Sequence, residues 1–263
     1  MRADVYLVRH GGVASRTRAQ RLIEDGCVLL DGCKLLRAHT DVDETVEHRL
    51  EIVDLLPFVG RGGLKLNGAL DAFAVDCSGR VGLDIGASTG GFTDCLLQRG
   101  AACVFAVDSG SGQLAAALRE DARVINIENC NARYLCAEML GGSFPARGAD
   151  IIVMDVSFIS QTFILPAIAQ LLASDGDAIT LIKPQFEVGR SKIGKGGIVR
   201  DAAARKDCIT AVLRCAETVG LFPVGLIRSP IEGGDGNVEY LVHFCKDSAR
   251  GRDAATLLRE IRI

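Results

Sequence analysis

Four polar residues stand where an apolar run of this 263-residue chain meets a polar one. They are Lys65 in Arg61-Gly-Gly-Leu-Lys-Leu, Asp155 in Asp-Val-Ser-Phe-Ile-Ser, Lys183 in Lys-Pro-Gln-Phe-Glu and Glu239 in Gly236-Asn-Val-Glu-Tyr. Two ammonium and two carboxylate groups are the types that exchange protons and orient a polar substrate, provided they share a site. Each also has an ordinary reading, since a lysine after a strand is usually a solvated loop residue and an aspartate before Val-Ser can cap a turn. A second constellation is the loop Gly86-Ala-Ser-Thr-Gly90-Gly91, which follows an apolar run and opens a helical one. Its missing side chains let a ligand approach the backbone at a helix N-terminus. Asp108 comes 22 residues after Gly86, at the end of the next apolar run, where a carboxylate can accept both hydroxyls of a ribose. The loop is not Gly-x-Gly-x-x-Gly, and a dinucleotide-binding dehydrogenase would share both features.

Whether the four polar residues meet depends on the elements beneath them. Residues 81–85, 104–108, 124–127, 151–154 and 178–182 read as buried strands that alternate with helical stretches, the first helix running from the glycine loop through Leu97. That alternation predicts an α/β fold with a Rossmann-like, mostly parallel sheet. Residues 224–227 and 240–244 are joined by a glycine-rich turn with no room for a crossover helix, so they form a C-terminal antiparallel hairpin and bring the sheet to seven strands. The last strand then starts at the edge where strands four and five end, which places Glu239 beside Asp155 and Lys183. In an open α/β sheet that is the ligand edge. Lys65 can reach it from a covering helix.

The first 56 residues are of another kind. Residues 1–40 carry a net charge of +3 and residues 41–54 a net charge of −5, which suggests a small module with one face for an anion. Gly11-Gly12 stops a first helix, Ser15 caps a second that runs through Glu24 with Ala19, Leu22 and Ile23 facing inward, and Gly26 ends it. Residues 28–30 and 34–36 form a hairpin about Asp31-Gly32. Residues 57–60 read as a linker.

Composition narrows the function classes. With 48% hydrophobic and 24% charged residues the chain can bury a core, so global disorder is excluded. No apolar run approaches ~20 residues, and the N-terminal stretch is charged from Arg2 without a signal-peptide core, so a cytoplasmic protein with no membrane contact is expected. The ten cysteines are scattered without a Cys-x-x-Cys pair and read as small buried hydrophobes, with no metal site expected.

The run Arg-x-Asp…Ala-Ser-Arg-x-x-Ala-x-x-Leu-Ile-x-x-Gly-x-Val-x-x-Asp-Gly resembles the small RNA-binding domain first seen in ribosomal protein S-four. Lys65, Asp155, Lys183 and Glu239 resemble, in order and in element, the catalytic tetrad of the FtsJ-type ribose 2′-O-methyltransferases. Taken with Asp84-Ile-Gly-Ala-Ser-Thr-Gly-Gly-Phe-Thr, the chain from about residue 2 to 245 resembles the TlyA family, whose members carry the name haemolysin and methylate the 2′-oxygen of cytidine in ribosomal RNA. The resemblance implies an RNA-binding domain over 1–56, a methyltransferase domain over 61–247 and a tail helix within 248–263. It implies S-adenosylmethionine as cofactor, bound by Asp84, Gly86, Ala87, Ser88, Gly90, Gly91, Phe92, Asp108 and Asn131. It places RNA contacts at Arg2, Arg16, Arg18, Arg21, Lys34, Arg61, Arg190, Lys192 and Lys195.

Lys183 is then the general base. It must present a neutral amine, which a second cation at Lys65 and the exclusion of water would favour. Asp155 would orient Lys183, and Glu239 would position Lys65 or the ribose. Residues 188–200, rich in glycine and cations, are expected to form a lid that orders on substrate. The implied partner is ribosomal RNA within ribosomal subunits, not DNA; the target nucleotide and the number of subunits modified stay open, as does the oligomeric state, with a monomer favoured. Base N-methylation would want an Asn/Asp-Pro-Pro-aromatic motif after the fourth strand, and cytosine C5 methylation a cysteine nucleophile near a proline; neither motif is present. The alternatives from other classes are a non-catalytic ribosome-binding factor and a membrane-lysing haemolysin.

Overall fold

Ala3, Tyr6 and Leu7 face inward from helix α1 (Ala3–His10), and the Gly11 amide closes it on the Leu7 carbonyl at 2.9 Å. An added Cβ at Gly11 would stand 2.8 Å from that same oxygen, so the stop needs glycine. Ser15 caps helix α2 (Arg16–Glu24), its Oγ accepting the Arg18 amide at 3.2 Å. Ala19 and Ile23, four apart and therefore on one face, are buried. Asp31 and Gly32 have φ of 53° and 76°, as a two-residue hairpin turn requires. They join strand β1 (Val28–Leu30) to strand β2 (Cys33–Lys34), which stops two residues short of the expected end, leaving Leu36 exposed. Strand β3 (Leu50–Ile52), which was not anticipated, pairs with the other side of β1. A computed structural model describes the chain apart from residues 14, 25, 53–56, 234, 235 and 262 and the side chain of Arg21. It divides into two units, Met1–Pro57 and Phe58–Ile263.

The second unit begins with helix α3 (Arg61–Phe73) and then alternates strand and helix: β4 (Val81–Ile85), α4 (Gly91–Gln98), β5 (Cys103–Val107), α5 (Ala116–Arg119), β6 (Val124–Ile127), α6 (Ala137–Leu140), β7 (Ala149–Met154), α7 (Leu165–Leu171) and β8 (Leu172–Ile182). It closes with α8 (Pro184–Glu187), α9 (Ala202–Thr218), β9 (Phe222–Arg228), β10 (Tyr240–Cys245) and α10 (Ala254–Glu260). The sheet order is β6-β5-β4-β7-β8-β10-β9, parallel except that β10 runs against both neighbours. Leu83, Ile85, Ile152 and Met154 pack on one face of the sheet and Val104, Ala106, Ile151 and Val153 on the other. Burial on both faces explains why these strands are continuous apolar runs. β8 starts at Leu172, well before residue 178: Leu172 pairs with Ala149, the register then shifts past residues 173–176, and pairing resumes with Asp177 opposite Ile151.

The order of winding reverses between β4 and β7, which opens a crevice at the carboxyl ends of those two strands. The opposite end of the sheet is held by a separate charge cluster. Asp177 there meets His243 Nε2 at 2.7 Å and an Arg80 guanidinium nitrogen at 2.7 Å.

Candidate active site

The loop after β4 lies in the crevice with little room to spare. Gly86 has φ of 87°, and an added Cβ would stand 2.6 Å from the Asp155 carbonyl oxygen on the neighbouring strand. Gly90 has φ of 97° and an added Cβ would run into Leu118. Glycine is required at both places by conformation and by close approach. The loop forms the floor of a cleft with two lobes. The larger, about 670 Å³, is lined by Gly86, Ser88, Asp108, Asn131, Asp155 and Phe158 among others. The smaller, about 180 Å³, reaches from Gly86, Ala87, Ser88, Gly91 and Phe92 to Gly62 and Lys183.

Asp108 sits where the second strand of the motif ends and is held by two backbone amides, Ser88 to Oδ2 at 2.8 Å and Gly110 to Oδ1 at 2.7 Å. Each oxygen keeps a further lone pair for a hydroxyl. Asn131 lines the same lobe and accepts the Arg133 amide at 3.0 Å. Asp84 lies behind the loop instead of in the cleft wall. It has no exposed surface, and its Oδ2 accepts the Thr93 hydroxyl at 2.6 Å. Burial, with the negative charges of Asp155 and Asp108 behind it, pushes the Asp84 carboxyl up to about 7. Through Thr93 it is tied to the start of α4.

The four polar residues come to this edge as two ion pairs. Lys183 Nζ is 2.5 Å from Asp155 Oδ1 and donates to Ser157 Oγ at 3.0 Å. Lys65 Nζ is 2.5 Å from Glu239 Oε2, both side chains buried. Gly62, one helical turn before Lys65 in α3, lines the small lobe, so the buried pair lies on the same face of α3 just beyond it. Each ammonium thus has its own carboxylate, Asp155 for Lys183 and Glu239 for Lys65.

The motifs around these residues hold partners that sequence reading passed over. Phe158, 91% exposed and at φ of 65°, has its ring centre 5.0 Å from that of Phe186, and Phe186 lies 6.0 Å from Lys183 Nζ. Glu187 accepts the Ser160 hydroxyl at 2.5 Å and the Gln161 amide at 2.9 Å, tying the Asp155–Ser160 loop to the segment that follows Lys183. Both motifs are legible as whole words, but only their charged members signal chemistry.

The expected RNA contacts divide in the same way. In the first unit Arg2 and Arg16 bond to the buried carboxylate of Asp4, which Gln20 also reaches. The Arg2 bond leads in holding that carboxyl well below the usual range, and Arg16 with Gln20 clasps α2 to α1, both arginines remaining half exposed. Arg18 and Lys34 are exposed, and the Arg21 side chain lies outside the described residues. In the second unit Arg61 donates to the Glu232 carbonyl at 2.6 Å. Arg190 and Lys195 are exposed, and Lys192 is 3.4 Å from Asp207. The far end of their segment is anchored: Asn237 accepts the Val199 amide at 3.0 Å and donates to the Gly197 carbonyl at 3.1 Å.

Residues 58–246 match the FtsJ-like methyltransferase family and residues 1–47 match the S4 domain. The chain is 44% identical to the 16S/23S rRNA (cytidine-2′-O)-methyltransferase TlyA of Mycobacterium tuberculosis, over 97% of its own length and 94% of that protein. It is 32% identical to the 23S rRNA (cytidine-2′-O)-methyltransferase TlyA of Campylobacter jejuni, over 94% of its length and all of that protein. A solved structure of a hemolysin-named protein from Streptococcus thermophilus superposes with a TM-score of 0.76 at 38% identity, covering 99% of this chain and 94% of the other.

Proposed function

The chain belongs to the FtsJ-like methyltransferase family and carries an S4 domain, and from that premise we propose that it methylates the 2′-hydroxyl of a cytidine ribose in ribosomal RNA, with Lys183 as general base. The observation that carries the proposal is the Lys183–Asp155 pair at the junction of the cleft lobes, beside a glycine loop and next to an exposed aromatic ring.

The cleft suits S-adenosylmethionine. Its larger lobe falls within the range of about 300–1,000 Å³ usual for small-ligand sites. Gly86 keeps clear the space that a Cβ would fill, and the oriented Asp108 carboxylate suits the ribose of the cofactor. Asn131 also lines that lobe. Bound there, the cofactor supplies an electrophilic methyl group on a sulfonium sulfur. The chain does the rest. A ribose hydroxyl attacks poorly while it keeps its proton, so a positioned acceptor must take that proton as the bond to carbon forms. Lys183 is set for this by Asp155 and Ser157, which hold its Nζ against the smaller lobe. The buried Lys65–Glu239 pair holds its polar atoms against the same edge and can position the ribose. Phe158 over Phe186 offers a ring face on which the target base can stack, so that nucleophile and methyl donor are held in line.

The test is transfer of labelled methyl from S-adenosylmethionine to purified ribosomal subunits, followed by alkaline hydrolysis of the RNA. A 2′-O-methyl blocks cleavage at its own nucleotide, so label is expected in an alkali-stable dinucleotide containing cytidine. Label on a base, or none at all, would contradict the proposal.

A further inference from the structure

The second unit leaves four large apolar side chains exposed among the described residues: Tyr134, Met139, Phe158 and Phe163. All four lie on the two segments that follow β6 and β7, around the larger lobe of the cleft. Phe158 serves the reaction proposed above; Tyr134 and Phe163 do not. They are joined by Arg133, whose guanidinium carbon is 4.6 Å from the centre of the Phe163 ring and 5.8 Å from that of Tyr134. The backbone beneath them is fixed, because Asn131 accepts the Arg133 amide at 3.0 Å and Ser160 Oγ accepts the Thr162 amide at 3.2 Å. Arg133 forms no ion pair among the described residues, whereas Arg80, Arg99, Arg123 and Arg147 of the same unit each meet a carboxylate. Asn131, Ala132, Ile159 and Ile164 line the lobe, so this ridge of two rings and a cation is its outer rim.

We propose that Arg133, Tyr134 and Phe163 form a stacking surface for an unpaired RNA nucleotide near the target, a deepening that rests on the RNA methyltransferase reading. A folded protein partner would be met by a broader apolar patch. Ring faces beside a guanidinium that holds no carboxylate among the described residues suit bases and phosphates instead, because every base has a π-face and the cation complements the backbone between bases. Such stacking tolerates sequence, so the surface would hold substrate without choosing it.

The test uses the full-length protein with separated, purified ribosomal subunits, reading equilibrium affinity, KM and kcat. Tyr134→Leu and Phe163→Leu should each weaken affinity and raise KM by about five- to 150-fold, the range for removing one base–aromatic stack. The turnover number and calorimetric affinity for S-adenosylmethionine should not change. Tyr134→Phe, which keeps the ring, should behave as wild type. Arg133→Gln should flatten the dependence of log affinity on log salt by about 0.7 if one single-strand phosphate is no longer neutralised. Leucine performing as well as phenylalanine at residue 134, or a fall in turnover at unchanged KM, would overturn the proposal. Should the wild-type protein bind subunits without methylating ribose, the functional reading fails, while the phenylalanine–leucine contrast in affinity still decides this one.

Discussion

Asp84 has no exposed surface, and its Oδ1 has no hydrogen-bond partner. An acid pushed up to about 7 by burial, from an ordinary value of 3.8, keeps its proton in the fold at pH values where the unfolded chain has released it. Its contribution to stability is therefore complete below about pH 4 and declines as pH rises through 7, by roughly 4 kcal/mol for a shift of about three units. Asp84→Asn removes the titration while keeping the shape. Thermal unfolding of the two proteins at pH 5 and pH 8 should show the variant gaining on wild type as pH rises. An equal difference at both pH values would mean that Asp84 is not the group responsible. A carboxylate opening Asp-Ile-Gly looks like a ligand contact in sequence; in the fold it is buried and bonds to Thr93 at the start of α4.

At the scale of elements, the site depends on two connections, the loop after β7 and the segment after β8, being held in register. Glu187 does this with two hydrogen bonds to Ser160 and Gln161, and burial raises its carboxyl above the usual range. Glu187→Ala should free the loop that carries Asp155 and Phe158. A displacement of about 1 Å at the reacting groups can cost on the order of a hundredfold, so turnover should fall by about ten- to a hundredfold. Cofactor affinity by calorimetry should fall less than turnover, because the loop after β4 and Asp108 are untouched, and Glu187→Gln, which keeps one acceptor, should recover part of the rate. Unchanged turnover in the alanine variant would show that the loop holds itself. Much of this framework was legible, because buried parallel strands write themselves as apolar runs and an antiparallel return is forced by a short turn. β3 was not legible: Leu50-Glu51-Ile52 is too short to show alternation and is a strand only because β1 offers it an open edge. The start of β8 was hidden for a similar reason, because the polar residues 174–176 fall in a register shift that no local pattern announces. Phe158 and Glu187 were hidden because their roles arise from contacts across two connections, which spacing within one cannot reveal.

At the scale of the molecule, the proposal gives the first unit a share of RNA affinity but no part in the chemistry. The first unit carries exposed Arg18 and Lys34 on the α2 and hairpin side, with Arg2 and Arg16 partly engaged by Asp4. The chemistry belongs to the second unit. Arg18→Ala should thus lower affinity for ribosomal subunits and reduce the salt slope by about 0.7–0.9 for each phosphate left without its cation, while the single-turnover rate at saturating subunits stays near wild type. A slowed rate at saturation would mean that the first unit shapes the active site. Lys183 should behave in the opposite way. Its work is confined to the transition state, so Lys183→Ala should leave cofactor and subunit affinity nearly intact while slowing methyl transfer by about 10²–10⁴-fold. Lys183→Arg is the sharper variant, because guanidinium keeps both the charge and the reach toward Asp155 but holds its proton at any working pH. The decisive measurement is the single-turnover rate of methyl transfer by Lys183→Arg at saturating cofactor and subunits. The account predicts a loss nearly as deep as that of the alanine variant; near-normal transfer would show that residue 183 supplies charge and that the base lies elsewhere.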